Sequence, residues 1–453
     1  MATPSPLSPL SLLLLAPRAP RLASALARRA SSASWSRLQS AVPALPRGVQ
    51  RPRAPVYLAG SGLAPVTRKR ADTSLAGMGG AAVRAALADA GLAGAAGAGA
   101  VVGALYVGNM LSGMLSQQQH LGPLLANAAG LRLVESATAE ACCGAGGAAL
   151  RWGYLAVASG AHETVVVAGV EHMTHVELPA ATRGLAAASH WASEGARGET
   201  FVSLNGAIMR EYMRRHGVAH AAFAPFPVTA HANALSAAHA TLKVAVTPES
   251  YEASRAVAAP IQLLDASPIC DGAAAVVLTS SRAIAAGSGG GGGGGGSALV
   301  VRVAGSAAAT DDLAVAARPD MLHLAAVAHS TESALAQAGL SRADVGIFEL
   351  HDAYAIMACV SLESAGFAPA GEGTGFAADG HLALGGRLPI ATFGGLKARG
   401  HPVGATGVYQ AAEMHRQLTR RAGANQVAGA RVALTQNIGG SGASVFTHAF
   451  VVE

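Results

Sequence analysis

From residue 55 onward, short apolar runs alternate with stretches in which apolar residues recur every three or four positions. The runs at 56–60, 100–107, 131–137 and 163–170 predict strands, and the stretches at 74–91 and 116–129 predict helices. The run at 163–170 is apolar almost throughout, as a central parallel strand requires when both faces are covered. A Gly- and Ala-rich helix is expected after Cys143. Strands interleaved with helices predict stacked α/β layers.

Residues 172–250 break this rhythm. They are richer in His, Met, Arg and Phe, and predict an inserted loop domain lying over the sheet. Strand character returns at 272–279. Eight consecutive glycines then occupy 289–296; with no Lys-Ser/Thr in register after them, they read as a linker and not as a phosphate-binding loop. The second part repeats the first: a strand at 299–304, a helix at 321–339, a strand at 346–350, a further helix, a segment at 390–401, a helix at 404–421 and a hairpin from 432 to 452. The similar order suggests an internal duplication. The expected organisation is therefore a leader over 1–54, a first half over 55–280, a Gly-rich linker over 281–298 and a second half over 299–453.

Composition adds little to this, but charge does. The chain has 453 residues, 51% of them hydrophobic and 13% charged, enough for a large core. The formal net charge of +6 misleads. The first acid is Asp72, and eleven of the 32 basic residues precede it, so the remaining 21 face 26 acids. The basic balance belongs to the leader and is no argument for nucleic-acid binding. An Arg- and Ser-rich, acid-free leader reads as an organelle transit peptide, mitochondrial by preference with plastid as the alternative. Its apolar run at 10–16 is too short to span a bilayer. The four cysteines, Cys142, Cys143, Cys270 and Cys359, form no CxxC pair or metal-ligand spacing, so one reactive thiol is the better reading if a His serves it.

Four motifs supply that chemistry. In 140–150 (EACCGAGGAAL) a thiol stands before a helix of small residues, where the helix N-terminus favours a thiolate; on this motif alone an inert buried Cys is the better reading. In 394–407 (GGLKARGHPVGATG) His401 sits in a Gly-rich turn followed by Pro402, held where it can accept a thiol proton. His351 and Asp352 follow the strand at 346–350, where open α/β sheets place ligands, although Asp352 reads equally as a helix cap. In 435–443 (TQNIGGSGA) a tight turn can aim backbone N–H groups at an oxyanion.

Taken together, these motifs resemble the thiolase family over about residues 55–453. The resemblance implies a thiolase fold: two similar α/β halves forming a layered α-β-α-β-α core with an inserted loop domain. It implies an acyltransferase acting on acetyl-CoA and other acyl-CoA thioesters, as an acetyl-CoA C-acetyltransferase or 3-ketoacyl-CoA thiolase. On the C-x-x-G-x-x-A match to Cys143, Gly146 and Ala149, Cys143 rather than Cys142 is the acylated nucleophile. His401 would activate it, the N–H groups of Cys143 and Gly439 would form an oxyanion hole, and His351 with His401 would polarise the second thioester carbonyl. Ser267, in 264–272 (LDASPICDG), matches the Ser that touches the pantetheine arm. No metal or tightly held cofactor is implied, and a homodimer or homotetramer is.

The chain departs from the best-known thiolases where a second Cys serves as acid/base: that position is Asn437. The sterol-carrier-protein thiolases have His-Asp-Cys-Phe, with a Cys where this chain has Ala353. The His-Asp-Ala-aromatic and Asn-Ile-Gly-Gly pattern is most similar to the archaeal-type acetyl-CoA acetyltransferases. The α-carbon base is left between His351 and His401, while Cys359 reads as core. Two other readings fit a Cys-His-His set: a decarboxylating condensing enzyme, and a non-catalytic thiolase-like subunit that binds acyl-CoA or scaffolds a partner condensing enzyme.

Overall fold

The computed structural model describes residues 41–45, 52–69, 73–93, 101–287 and 299–453. Most of the expected leader, and the glycine run of the expected linker, lie outside the described residues. Among the described residues, no helix is long and apolar enough to cross a membrane.

The first half runs β1 (Tyr57–Leu63), α1 (Leu75–Asp89), β2 (Val102–Gly108), α2 (Leu121–Ala129), β3 (Glu135–Ala139), α3 (Ala145–Ala158) and β4 (Thr164–Glu171). The segment expected as a loop domain is largely helical: α4 (Leu178–Ala186), α5 (Phe201–His216) and α6 (Pro225–Ala234), then the small hairpin β5 (Ala256–Ala258) and β6 (Ile261–Gln262). Its helices carry ordinary start and stop signals that the irregular composition masks. Thr200 and Ser203 form a capping box at the start of α5, and Gly217 ends it with a left-handed φ. β7 (Gly272–Thr279) completes the half.

The second half runs β8 (Val301–Thr310), α7 (Ala325–Ala338), β9 (Ile347–Glu349), α8 (Ala355–Ser364), α9 (Thr406–Leu418), β10 (Val432–Gly439) and β11 (Ser444–Val452). The segment at 390–401 forms no strand; residues Gly395–Arg399 make a single wide helical turn.

The nine-stranded sheet has the order β3-β2-β4-β7-β1-β8-β11-β10-β9. Read outward from the β1–β8 junction, the two halves follow the same sequence of first, last, next-to-last and second strands, so the duplication is visible in topology where the residues do not show it. β4 is parallel to β2 but antiparallel to β7, so the sheet is mixed rather than parallel at its centre. α1 covers the outer face of the first half and α7 that of the second, while α3 and α9 lie between the two halves, touching strands of both. This gives the α-β-α-β-α layering.

Glycines decide how closely the inner helices meet. A Cβ on Gly407 would lie 2.3 Å from the Gly147 backbone N, and one on Gly146 would lie 2.9 Å from both Gly404 O and Gly407 N. The N-terminal turns of α3 and α9 therefore touch backbone to backbone. Glu171, at the end of β4 and fully buried, adds a polar clamp. Its carboxylate accepts from Asn109 Nδ2 (3.0 Å), Met110 N (2.9 Å), Leu111 N (3.2 Å) and Gly404 N (3.1 Å), tying the loop after β2 to the turn before α9.

Two outcomes follow. Gly407→Ala should cost about 1–3 kcal/mol through overpacking, read as a lowered thermal midpoint. Burial pushes the Glu171 carboxyl up to about 7, against the four hydrogen bonds that favour its charged form. Between pH about 4.5 and about 7 the folded chain holds a proton the unfolded chain has lost, so this group's stability contribution is full below that window and falls as pH rises through it. Gln does not titrate. In urea unfolding, the stability deficit of Glu171→Gln relative to wild type should therefore shrink by up to roughly 3 kcal/mol across the window.

Candidate active site

Cys143 lies at the junction where β3 turns into α3. Cys142 to Gly144 form a tight helical turn, and Cys142 takes a left-handed φ of +53°, an uncommon conformation for a residue with a Cβ. Glu140 Oε1 accepts from Cys142 N at 2.7 Å and holds that turn. Cys143 is buried among Leu111, Met173 and Val403.

His351 follows β9, and His401 stands in the turn before α9; their rings meet edge to face with centroids 5.0 Å apart. Hydrogen-bond partners assign their tautomers. Nδ1 of His351 faces two donors, Ile438 N at 3.2 Å and Asn437 Nδ2 at 3.3 Å, so it is an acceptor and Nε2 carries the proton. His401 is the reverse. Thr406 Oγ1 donates to Pro402 O (3.3 Å) and so accepts from His401 Nδ1 (2.7 Å). The lone pair of His401 is left on Nε2, which is buried and has no partner.

The resting site is uncharged. Burial pushes the Cys143 thiol well above its usual value, with Cys142 and Glu171 adding to the effect. Burial thus opposes the thiolate that the helix N-terminus would favour. Burial likewise lowers His351 to about 3, helped by Arg399, and drives His401 well below its usual value. A neutral thiol and two neutral imidazoles of opposite tautomer face the cavity.

Asn437 stands behind these groups. Gly147 N donates to its Oδ1 (2.9 Å), and its Nδ2 donates to Cys143 O (3.0 Å) while reaching His351. It ties the start of α3, the Cys143 backbone and the His351 ring together from behind the cavity wall. Gly439 lies against the same turn: a Cβ on Gly144 would sit 3.0 Å from Gly439 N. Asp352 does not cap the helix after it. The N-cap of α8 is Tyr354, and the Asp352 carboxylate instead accepts from Leu396 N (2.8 Å) and Lys397 N (3.4 Å), holding the turn that leads to His401. Sequence reading missed this tie, as it missed Glu171. A carboxylate bonded to a distant backbone leaves no local spacing to detect.

A buried ion pair lies beneath the site. Arg399, wholly buried, meets Glu413 of α9 at 2.7 Å and lies over the Tyr409 ring, fixing the turn before His401. Cys143, His351, His401 and Ser267 line one cavity of about 840 Å³, roofed by residues of the helical insertion. Cys359 is fully buried on α8, as core.

The family comparisons agree with this geometry. The thiolase N-terminal domain model matches residues 56–282, and the thiolase C-terminal domain-like model matches residues 307–451. An acetyl-CoA acetyltransferase of Methanothermobacter thermautotrophicus is 39% identical over 352 residues, 78% of this chain and 89% of that one. One from Methanocaldococcus jannaschii is 33% identical, covering 77% and 88%. Rat sterol carrier protein 2 is 42% identical over 111 residues, 24% of this chain and 20% of that one. Among solved structures, the Ltp2-ChsH2(DUF35) aldolase aligns with a TM-score of 0.73 at 22% identity, over 89% of this chain and 98% of that chain. Human mitochondrial 3-ketoacyl-CoA thiolase aligns with a TM-score of 0.66 at 16% identity, over 88% and 98%. Those two likenesses are likenesses of fold. The expected mitochondrial destination, with its plastid alternative, is overturned: the relatives matched over most of the chain are archaeal, from cells without organelles. Neither the decarboxylating nor the non-catalytic reading is favoured by relatives that are acetyltransferases. The chain belongs to the thiolase family and is a thiolase-type acyltransferase.

Proposed function

We propose that this enzyme transfers an acetyl group through a thioester on Cys143, with His401 as its single proton carrier. The carrying observation is the pair of imidazoles in opposite tautomers beside one buried thiol, brought from both halves of the chain. Cys143 Sγ attacks the carbonyl carbon of acetyl-CoA as its proton passes to His401 Nε2. Backbone N–H groups of Cys143 and Gly439 receive the oxyanion. The carbon–sulfur bond to CoA breaks, and the leaving thiolate takes the proton from His401, which is neutral again.

A second acetyl-CoA then places its carbonyl oxygen against His351 Nε2–H. That hydrogen bond stabilises the enolate, and His401 Nε2 takes the α-proton. The α-carbon attacks the acyl-Cys143 carbonyl, acetoacetyl-CoA departs, and the Cys143 thiolate recovers its proton from His401. Thiolysis is the same path reversed. Asn437 stands where other thiolases carry a second thiol; its bonds to Gly147, Cys143 and His351 suit it to positioning, and it leaves proton transfer to His401. Ser267, on the cavity wall, is the proposed contact for the pantetheine arm. We further assign the enzyme to a homodimer or homotetramer: β3 ends the sheet, and Leu133, two residues before it, is exposed.

Radiolabelled acetyl-CoA should leave its label on Cys143, and acetoacetyl-CoA thiolysis should disappear in Cys143→Ala. Activity surviving that change would refute the mechanism. His401→Ala should lower kcat by about 10²–10⁴-fold. Asn437→Ala should lower kcat by roughly 100-fold through misplacement, with less effect on KM. Asn437→Asp would set a carboxylate against His351 Nδ1 and raise its pKa from about 3. A new ionisation should then appear in the pH profile of kcat/KM, absent from Asn437→Ala; without it, the assigned contact is wrong.

A further inference from the structure

Two buried polar side chains in the cavity wall have no part in the reaction above. Lys397, on the wide turn Gly395–Arg399, is 5% exposed and lines the cavity. Its ammonium makes no hydrogen bond or ion pair with another described residue, and only its backbone N–H is engaged, by Asp352. His231, on α6, is 3% exposed and lines the same cavity. Its Nδ1 donates to Val244 O at 2.7 Å, which leaves the lone pair on Nε2, and that atom is buried without a partner.

The two are electrostatic neighbours: the Lys397 charge, after burial, depresses His231 to about 4, so His231 stays neutral, offers the cavity only an acceptor, and leaves the ammonium as the one donor of the pair. Burial lowers Lys397 itself to about 8, opposed by Asp352 and Asp265, so it remains mostly protonated at pH 7. Both aspartates are already committed. Asp265 accepts from His220 Nε2 (2.8 Å), Tyr251 OH (2.5 Å) and Gln262 N (2.8 Å). A cation taken out of water without a direct partner costs several kcal/mol, and a ligand anion would recover much of that.

Position identifies which part of a ligand would reach it. Lys397 precedes His401 by four residues, and its turn is held by the residue after His351, so it belongs to the reacting end of the cavity. Arg68, also on the cavity wall, is an electrostatic neighbour of Lys397, and the exposed Arg255 is the cation left for the phosphates of CoA. A cavity of about 840 Å³ holds far more than an acetyl group.

We propose that the Lys397 ammonium forms a carboxylate-binding subsite, so that the substrates include 3-ketoacyl-CoA thioesters whose acyl chain ends in a carboxylate. This rests on the thiolase reading and narrows its substrate class. The test compares thiolysis of acetoacetyl-CoA, the CoA thioester of a six-carbon 3-keto dicarboxylic acid, and the terminal methyl ester of that thioester. Wild type should prefer acid over ester by about 10–100-fold in kcat/KM, the worth of a charge-assisted hydrogen bond. Lys397→Met should erase that ratio.

Equal rates for acid and ester on wild type would overturn the subsite whether or not the variant folds. So would a ratio that survives Lys397→Met, or a loss shared equally by all three thioesters, which would give the lysine to the common pantetheine arm. Calorimetric binding of acid and ester thioesters to Cys143→Ser reads the subsite without turnover. Acid-selective binding with no thiolysis by wild type would sink the thiolase mechanism and leave the subsite standing. Equal binding would remove the subsite alone.

Discussion

The site depends on two helix ends that meet without side chains between them. α3 carries the nucleophile at its start and α9 follows the turn that bears His401, and Gly146, Gly147 and Gly407 let their backbones touch. Cys143 and His401 are 258 residues apart in sequence, and no longer side chain could bridge them if the helices stood at ordinary packing distance. Close-packed interiors resist even one added methyl group, so this contact is stiff. The duplicated topology explains why it exists: α3 and α9 occupy equivalent places in the two halves, and their N-termini converge at the middle layer.

The second constraint is electrical. Desolvation raises the thiol and lowers both imidazoles, so the groups rest uncharged and the ionic form appears only as the substrate reacts. Direction then comes from hydrogen bonding rather than charge. Ile438 N, from β10, makes one imidazole a donor to the cavity, while Thr406, from α9, makes the other an acceptor. The same strand supplies Asn437, so β10 sets the orientation of His351 and the start of α9 sets that of His401.

Much of this was legible in the chain. The strand at 272–279 was located to the residue, and strong period signals gave α1, α7 and α9 to within a few positions. Cys143, His351 and His401 were readable because each sits in a run of glycines or at a strand end that few other roles explain. What was hidden is non-local. Glu171 and Asp352 act on backbone N–H groups more than forty residues away. The helices of the insertion were obscured by weak periodicity: α6 packs on several sides at once. The pull of burial on the Cys143 thiol was also hidden, because a sequence shows a helix start but not the depth of burial around it.

The clamp between the inner helices also divides what the protein can change. Residues around the nucleophile are fixed by backbone contact, which leaves no space for an added side chain at Gly146, Gly147 or Gly407. The insertion between β4 and β7 roofs the same cavity yet adds no strand to the large sheet. The three residues that bear the reacting groups lie outside it, although its Met173 packs against Cys143. New acyl preferences in this architecture should therefore arise by rewriting that roof, with the reactive floor inherited unaltered.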